Sequence, residues 1–269
     1  MGVMTIKMNA DEVIRDLPKC RWRADIDNQL ATLRGFFTVE KQPCDRVASV
    51  EAMGPQTYLW RDACDSALAR RCREFLQAVP FDSSRPQCND TDNPPQNSVL
   101  TQLSQMKSPL SPSTTSAPTG WTWEKYADTI WRLTPKTAED FLQSPVFDLM
   151  TDFEAAWSTP ALQQLGFNSS LRKATWVIQR TQQGHHLRLH NDYSSGRQLA
   201  FILYLTPDDW SAEDGGQLIV QDPSFSILPA FNTCVIFKMV NWASPYHCIS
   251  DVEADDSKPR IALVGFWNE

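Results

Sequence analysis

Three side chains in the last third of the chain have the types and spacing to bind a redox-active metal ion: His190, Asp192 and His247. On an extended strand, residues two apart point to the same side, so His190 and Asp192 can bind one ion. His247 follows the apolar segment CVIF (234–237) and could supply a third ligand from a distant strand. Two imidazoles and one carboxylate leave three coordination positions open, which is typical of non-haem Fe(II) sites that react with oxygen. The sequence therefore predicts an iron centre formed by these three residues.

Arg260 and Tyr204 indicate an anion site in the same region. Arg260 begins the strand-like segment RIALVGFW (260–267), and a guanidinium inside a β-sandwich is costly unless it meets an anion. A bound dicarboxylate would supply that anion, because Arg pairs with a carboxylate through two parallel hydrogen bonds. Tyr204 lies among apolar residues, from which its hydroxyl would be offered to the same carboxylate.

The other two histidines, His185 and His186, precede the metal-binding pair in the chain. Either could face a substrate. Because the metal needs no fourth imidazole, exposed strand positions are the simpler expectation for both.

Short β-strands are expected to position these residues, and turn chemistry such as Asp214-Gly215-Gly216 separates them. The strands are predicted at TWVIQR (175–180), QLAFILYL (198–205), QLIV (217–220), CVIF (234–237) and IALVGFW (261–267). Several short strands divided by turns are typical of a sandwich or barrel.

Helices are expected earlier in the chain. Apolar residues at helical spacing between Leu59 and Val79 predict a helix that Pro80 ends. Ser144-Pro145 and Thr159-Pro160 are helix starts, because Ser or Thr caps a helix and Pro suits its first turn. The predicted fold class is α+β: a double-stranded β-helix (jelly-roll) core with N-terminal helices packed on one sheet.

Composition divides the chain into three parts. Residues 1–80 are predicted to form a helical or mixed region, and residues 121–269 the jelly-roll core with its supporting helices. Between them, residues 81–120 are rich in Ser, Pro, Asn and Gln, which indicates a loop or linker. A flap over the site is the alternative for this segment. The three parts are expected to form one integrated domain.

Charge and composition argue against several classes of protein. The net charge is −7 and no basic run is present, so a nucleic-acid partner is not expected. No apolar stretch reaches the length of about 18 residues that a membrane span needs, and the N-terminus lacks the apolar run of a secretory signal. Seven scattered cysteines without a CxxC pair suit a reducing compartment. A cytoplasmic location is expected.

Residues 175–267 resemble the catalytic core of the prolyl-hydroxylase-like branch of the Fe(II)/2-oxoglutarate-dependent dioxygenases. The resemblance starts with a G-x-x-L-x-x-H-x-D run (Gly184, Leu187, His190, Asp192) and continues through RQLAFILYLTPDDW. The segments GGQLIV, FNTCVIFKMVNWASPYH and PRIALVGFW follow in the family's order. No single segment is specific, but the ordered set is, and it covers about a third of the chain.

The resemblance implies roles for individual residues. It implies Fe(II) ligation by His190, Asp192 and His247, and binding of the distal carboxylate of 2-oxoglutarate by Arg260 with help from Tyr204. Arg197 matches a basic position that faces the substrate side in relatives, although a surface salt bridge suits it equally well. Family members that halogenate have a small residue in place of the carboxylate, so Asp192 favours hydroxylation.

The resemblance therefore implies an oxygenase that hydroxylates an unactivated C–H bond and releases succinate and CO2. O2 would be the cosubstrate and ascorbate a candidate stimulant. A small molecule, such as an amino acid or biosynthetic intermediate, is the expected substrate. The alternatives are prolyl hydroxylation of a protein, and desaturation or cyclisation by the same oxidising chemistry. A nucleic-acid demethylase is disfavoured by the charge, and a non-catalytic binding module by the retained ligands.

Overall fold

The computed structural model describes residues 50–82, 120–125, 130–135, 140–141, 143–157, 172–193, 197–239 and 244–268. Strands dominate these residues, with α-helices α1 (Ser66–Ala78) and α2 (Pro145–Trp157). The strands are β1 (Val50–Gly54), β2 (Thr57–Arg61), β3 (Phe81–Asp82), β4 (Trp121–Lys125), β5 (Ile130–Pro135), β6 (Arg172–Thr181), β7 (Leu187–His190), β8 (Arg197–Tyr204), β9 (Leu218–Gln221), β10 (Ser224–Ile227), β11 (Thr233–Lys238), β12 (His247–Ile249) and β13 (Arg260–Asn268).

The strands form two sheets. The larger has the order β1-β2-β11-β8-β13-β6-β5-β4-β3, and the smaller has the order β10-β9-β12-β7. Neighbouring strands are antiparallel except for β3 and β4, which are parallel. This is the predicted double-stranded β-helix, in which two mostly antiparallel sheets enclose a common core.

Strand β8 shows why the central strands carry apolar residues on both faces. Leu199, Phe201 and Leu203 belong to a core shared with α1 and α2, whereas Ala200, Ile202 and Tyr204 belong to a second core shared with the smaller sheet. Side chains alternate across a strand, so a sheet covered on both faces needs a continuous apolar run. The larger sheet is therefore the middle layer, with helices on one face and the smaller sheet on the other.

The two helices begin at side-chain caps. The carboxylate of Asp65 accepts a hydrogen bond from the Leu68 amide at 2.9 Å, which satisfies one free amide of the first turn of α1. Its buried residues Ala69, Cys72 and Leu76 follow helical spacing and face the larger sheet's core. Helix α2 begins at Pro145, and the Ser144 hydroxyl accepts from the Phe147 amide at 3.3 Å.

Each of the five predicted strands overlaps a strand of the structure, with ends shifted by one to three residues. The helix start at Ser144-Pro145 is confirmed. The helix predicted between Leu59 and Val79 begins only at Ser66, because residues 57–61 form β2 and pair with β11. The predicted helix start at Thr159-Pro160 lies outside the described residues.

Strands β1 and β2 belong to the larger sheet together with the later strands. Helix α1 packs into the core on one face of that sheet. The proposed division into three parts stays a prediction, because residues 1–49 and most of 81–120 are outside the described ranges. Helices α1 and α2 have 13 residues each. No helix in the described part of the chain has both the length and the apolar character to cross a membrane.

Asn232 connects the turn before β11 to the residues before α1, and its removal is expected to destabilise the fold. Its amide oxygen accepts from the Cys64 amide at 3.0 Å, and its amide nitrogen donates to the Cys64 carbonyl at 2.8 Å. Its φ of 55° is tolerated by Asn but strained for Ala. We expect Asn232→Ala to lower the free energy of unfolding by about 2–4 kcal/mol, measured by urea denaturation.

The variant Asn232→Gly separates the two causes. Glycine accepts positive φ without strain, so we expect this variant to lose about 1 kcal/mol less than Asn232→Ala. An alanine variant as stable as the wild type would contradict the role of Asn232.

Candidate metal centre and anion pocket

Strand pairing in the smaller sheet brings the two predicted histidine ligands together. His190 is the last residue of β7 and His247 the first of β12, and the two are directly opposite in the antiparallel register. Their ring centroids lie 4.3 Å apart. The ring of His247 also stacks on Phe237 of the larger sheet, with centroids 4.5 Å apart. The pair therefore lies between the two sheets.

Asp192 completes the group two residues beyond His190. Its carboxylate oxygens lie 3.7 Å from Nε2 of His190 and 3.6 Å from Nε2 of His247. One ligand atom from each residue lies within 4.8 Å of the other two, a spacing that one metal ion can bridge. The side chain of His247 is 3% exposed and that of His190 34%, so the cluster is anchored in the core and open to solvent on one side.

Backbone carbonyls fix the orientation of both imidazoles. Nδ1 of His190 lies 2.8 Å from the Arg188 carbonyl oxygen, and Nδ1 of His247 lies 3.0 Å from the Pro245 carbonyl oxygen. A carbonyl only accepts hydrogen bonds, so Nδ1 donates and Nε2 keeps its lone pair for a metal. Burial lowers the pKa of His247, which the charge of Asp192 only partly opposes. The His247 ring is therefore neutral, as metal ligation requires.

The candidate anion pocket consists of Arg260 and Tyr204, which are 2% and 0% exposed. Nε of Arg260 donates to the Gly216 carbonyl at 3.0 Å, and the guanidinium lies 5.2 Å from the centre of the Tyr204 ring. One terminal nitrogen of Arg260 and the Tyr204 hydroxyl have no hydrogen-bond partner among the described residues. Buried polar groups normally have hydrogen-bond partners, and a bound carboxylate could accept a hydrogen bond from each of these two groups.

Burial shifts the pKa of both pocket residues. It lowers the pKa of Arg260, and it raises the pKa of Tyr204 to about 12 although the nearby guanidinium opposes that shift. The phenol is therefore protonated at neutral pH and can donate a hydrogen bond. The guanidinium is a buried cation, which an anionic ligand would stabilise.

Gly216 gives the Arg260 side chain its space. Gly215 and Gly216 have φ of 66° and 63°, the left-handed region that favours glycine. A Cβ on Gly216 would lie 2.9 Å from Cδ of Arg260 and 3.2 Å from Nε. The segment Asp214-Gly215-Gly216, predicted as a turn, thus also forms one wall of the anion pocket.

Arg197 contacts the backbone of Asp192, one of the three candidate metal ligands. Its Nη1 donates to the Asp192 carbonyl oxygen at 2.9 Å, and its guanidinium lies 3.7 Å from the centre of the Phe266 ring. Contact between Arg197 and a substrate stays a prediction. Sequence reasoning missed Ser244, whose hydroxyl accepts from the Asp192 amide at 2.8 Å. No spacing rule marks a serine in a loop as the partner of a residue so distant in the chain.

His185 and His186 differ sharply. His186 is exposed, and its Nδ1 lies 3.2 Å from a carboxylate oxygen of Asp251. His185 is only 6% exposed, in the turn between β6 and β7, so the expectation of an exposed strand position is wrong for it. Burial, reinforced by the charge of Arg260, lowers the pKa of His185 to about 4. Its ring is therefore neutral near the anion pocket.

Comparisons with known proteins match the region that contains the site. Residues 176–268 match the family model of the 2OG-Fe(II) oxygenase superfamily, and this span includes the metal cluster and Arg260. Fe(II) and 2-oxoglutarate are the cofactors of that superfamily, and the cluster and pocket have suitable donors for both.

Curated relatives are similar over about a third of this chain. Prolyl 3,4-dihydroxylase OGFOD1 of Ostreococcus tauri is 35% identical over 97 residues, 32% of this chain and 18% of the relative. Prolyl 3-hydroxylase OGFOD1 of Xenopus laevis is 34% identical over 93 residues, 30% and 17% of the two chains. The chain thus spans less than a fifth of the length of the curated relatives that it matches.

Solved structures are more distant. A prolyl hydroxylase from Trichoplax adhaerens, in complex with a peptide fragment of hypoxia inducible factor, is 15% identical with a TM-score of 0.44. The match covers 79% of this chain and 83% of that chain. A prolyl-4-hydroxylase from Pseudomonas putida is 20% identical with a TM-score of 0.35, covering 45% and 66% of the two chains.

Substitution of Gly216 tests the shape of the anion pocket. Gly216→Ala would displace Arg260, so we expect 2-oxoglutarate to bind about tenfold more weakly or worse, which corresponds to about 1.4 kcal/mol. Calorimetric titration of the Mn(II)-loaded protein measures this. Gly184→Ala is the matched control, because Gly184 also has positive φ (78°) but no atom within 4 Å of an added Cβ. Equal affinities in the two variants would contradict the role of Gly216.

Acid should weaken the fold through His185. Its pKa is about 4 when folded and near 6.5 when unfolded, so the unfolded chain binds more protons between these values. Stability contributed by the neutral ring is complete above pH 6.5 and is lost as the pH falls towards 4. We expect this ring to account for about 2 kcal/mol of the stability lost between pH 6.5 and 5.

The measurement is urea denaturation of the metal-free protein at pH 6.5 and at pH 5. It compares the wild type with His185→Asn and with the control His186→Asn, whose imidazole is exposed. The pH dependence should shrink only in His185→Asn. If the unfolding free energy of His185→Asn changed with pH as much as that of the wild type, the buried ring would not be the cause of the pH dependence.

Proposed function

We propose that the chain hydroxylates a prolyl residue of a protein substrate, since residues 176–268 match the family model of the 2OG-Fe(II) oxygenase superfamily. The superfamily match, which includes all three candidate ligands and Arg260, is the observation that carries the oxygenase chemistry. The choice of substrate is supported by the curated relatives at 32–35% identity, which are named as prolyl hydroxylases. The expected small-molecule substrate gains no such support.

The balanced reaction consumes one 2-oxoglutarate and one O2 and replaces a C–H bond of substrate by C–OH, with succinate and CO2 as the other products. O2 is the oxidant, and bound Fe(II) with 2-oxoglutarate would activate it: 2-oxoglutarate supplies two of the four electrons that O2 takes up and the substrate C–H bond supplies the other two. The protein's contribution is geometric and electrostatic. His190, Asp192 and His247 would hold the ion through three ligands and leave the remaining positions for the cosubstrate and oxygen.

Arg260 and Tyr204 would orient the cosubstrate. The free guanidinium nitrogen and the phenol can both donate to the distal carboxylate of 2-oxoglutarate, while Nε of Arg260 stays bonded to Gly216. A ligand fixed at its far end presents its near end to the metal in one orientation, and such positioning is a large part of catalysis. Because Asp192 is a carboxylate, the site has no vacancy for a halide, which supports hydroxylation.

Two surface features support a polypeptide substrate. The side chain of His190 is 34% exposed, so the cluster can be approached from solvent. Tyr193 and Tyr246, each one residue from a candidate ligand, are 38% and 55% exposed. Exposed aromatic rings at these chain positions would offer apolar faces on which a pyrrolidine ring could pack.

The cofactor site is tested by anaerobic titration of Fe(II)-loaded protein with 2-oxoglutarate, monitored at the visible metal-to-ligand charge-transfer band. We expect a band in the wild type, its loss in Asp192→Ala and a weakened band in Arg260→Ala. Glu51→Gln, which changes an exposed carboxylate on edge strand β1, is the control and should keep the band. Wild-type protein that binds iron without a band would overturn the cosubstrate assignment.

The substrate class is tested under air with proline-containing peptides and, in parallel, free L-proline and other amino acids. We expect a mass gain of one oxygen on a prolyl residue, with succinate formed in equal amount, and neither in Asp192→Ala. Hydroxylation of a free amino acid with no peptide turned over would restore the small-molecule reading.

A further inference from the structure

Two side chains form hydrogen bonds with the main chain of Asp192, one with its amide and one with its carbonyl. Asp192 follows the end of β7 and is not itself in a strand. Its amide donates to the Ser244 hydroxyl at 2.8 Å, and its carbonyl accepts from Nη1 of Arg197 at 2.9 Å. Both polar atoms of the main chain are thus satisfied by side chains rather than by a neighbouring strand. We call this pair of contacts the Asp192 clamp.

Arg197 is well suited to hold one side of the clamp. It begins β8, and its guanidinium lies 3.7 Å from the centre of the Phe266 ring, which is 4% exposed on β13. Stacking on a buried ring fixes the plane of the guanidinium, so the direction of its N–H groups is set before they meet the carbonyl. The guanidinium charge also lies near the Asp192 carboxylate, which opposes the lowering of the Arg197 pKa by burial.

Ser244 links the clamp to another candidate ligand. It is 4% exposed and lies three residues before His247. The next residue, Pro245, provides the carbonyl that accepts from Nδ1 of His247 at 3.0 Å. One short segment, Ser244-Pro245, therefore contacts the Asp192 backbone through its hydroxyl and the His247 ring through its carbonyl. The positions of these two ligands depend on the same two residues.

We propose that Arg197 and Ser244 are positioning residues that hold Asp192 ready to bind the metal. The assignment rests on the proposed function in one respect, that the ion is the iron of a 2OG-Fe(II) oxygenase. It gives Arg197 a role other than substrate contact, because the described hydrogen bond of its guanidinium is made to the metal cluster's own backbone.

The reason is conformational. Without the clamp, the chain between β7 and β8 could adopt backbone conformations in which the carboxylate no longer faces both Nε2 atoms. Only the fraction of molecules with the carboxylate in place would bind the ion with full strength, so the apparent affinity falls by that fraction. Residues that orient metal ligands typically change metal affinity by about 10- to 100-fold when they are replaced.

The test is anaerobic titration of the full-length, metal-free protein with Co(II), monitored by its visible d–d absorption. We expect Arg197→Gln and Ser244→Ala each to weaken Co(II) binding by about tenfold. In the double variant, the fold loss of Co(II) affinity should be smaller than the product of the two single losses, because both side chains restrain Asp192. Ser244→Thr keeps the hydroxyl and should retain affinity close to the wild type.

Two controls remove the same kinds of contact elsewhere. The guanidinium of Arg180 lies 4.7 Å from the centre of the Phe81 ring and donates to the Asp256 carbonyl at 3.0 Å, so Arg180→Gln matches Arg197→Gln. The Ser250 hydroxyl accepts from the Gln217 amide at 3.0 Å, so Ser250→Ala matches Ser244→Ala. Both controls should lower the melting temperature about as much as their counterparts yet bind Co(II) like the wild type.

Three results would overturn the proposal. Clamp variants that bind Co(II) as tightly as their controls would leave Arg197 and Ser244 with a structural role only. An Arg197→Gln variant with wild-type Co(II) affinity but a raised KM for the peptide would assign Arg197 to the substrate. A wild type that binds no Co(II) would overturn the proposal and the proposed function together. A wild type that binds Co(II) but shows no charge-transfer band with Fe(II) and 2-oxoglutarate would overturn the proposed function alone.

Discussion

The pairing of β12 with β7 is the interaction on which the site depends. It places His247 opposite His190, and the turn after β7 then brings Asp192 to both rings. The same β12 pairs with β9 on its other side, which holds His247 in the middle of the smaller sheet. A slip of one residue in this register would turn one imidazole to the outer face. Register, more than any single contact, therefore assembles the cluster.

Charge balance explains why the anion pocket and the metal cluster can lie close together in one core. A divalent cation, one carboxylate, a dianionic cosubstrate and the guanidinium of Arg260 sum to zero charge. Each component alone would leave a net charge near a buried, low-dielectric region, which is costly. These four components together are neutral, and the neutral rings of His185 and His247 and the protonated Tyr204 add no charge to them. The guanidinium of Arg197 adds one positive charge beside Asp192. Cation and cosubstrate should therefore favour one another's binding.

The sequence predicted the parts of this protein whose signals are local. Continuous apolar runs such as 199–205 mark strands buried on both faces. The i, i+2 spacing of His190 and Asp192 indicates two candidate ligands of one ion, although Asp192 lies beyond the end of β7. The resemblance to a known family supplied the order of the strands and the expected role of Arg260, which stays a prediction. Contacts set by tertiary packing were not predictable: Ser244 is far from Asp192 in the chain, and His185 is buried by a turn that closes on residue 252. Strand β2 was read as helix because its partner, β11, comes much later in the sequence.

The position of β7 in its sheet affects how the metal is lost. In the described sheet β7 lies at the edge and pairs with β12 alone, and it carries the most exposed of the three candidate ligands. Edge strands open at lower free energy than central ones. Fraying of β7 would withdraw His190 while His247 stays fixed in the centre of the sheet. The lifetime of the bound ion would then be governed by a local unfolding event, and amide exchange in β7 and metal dissociation would share one rate-limiting motion.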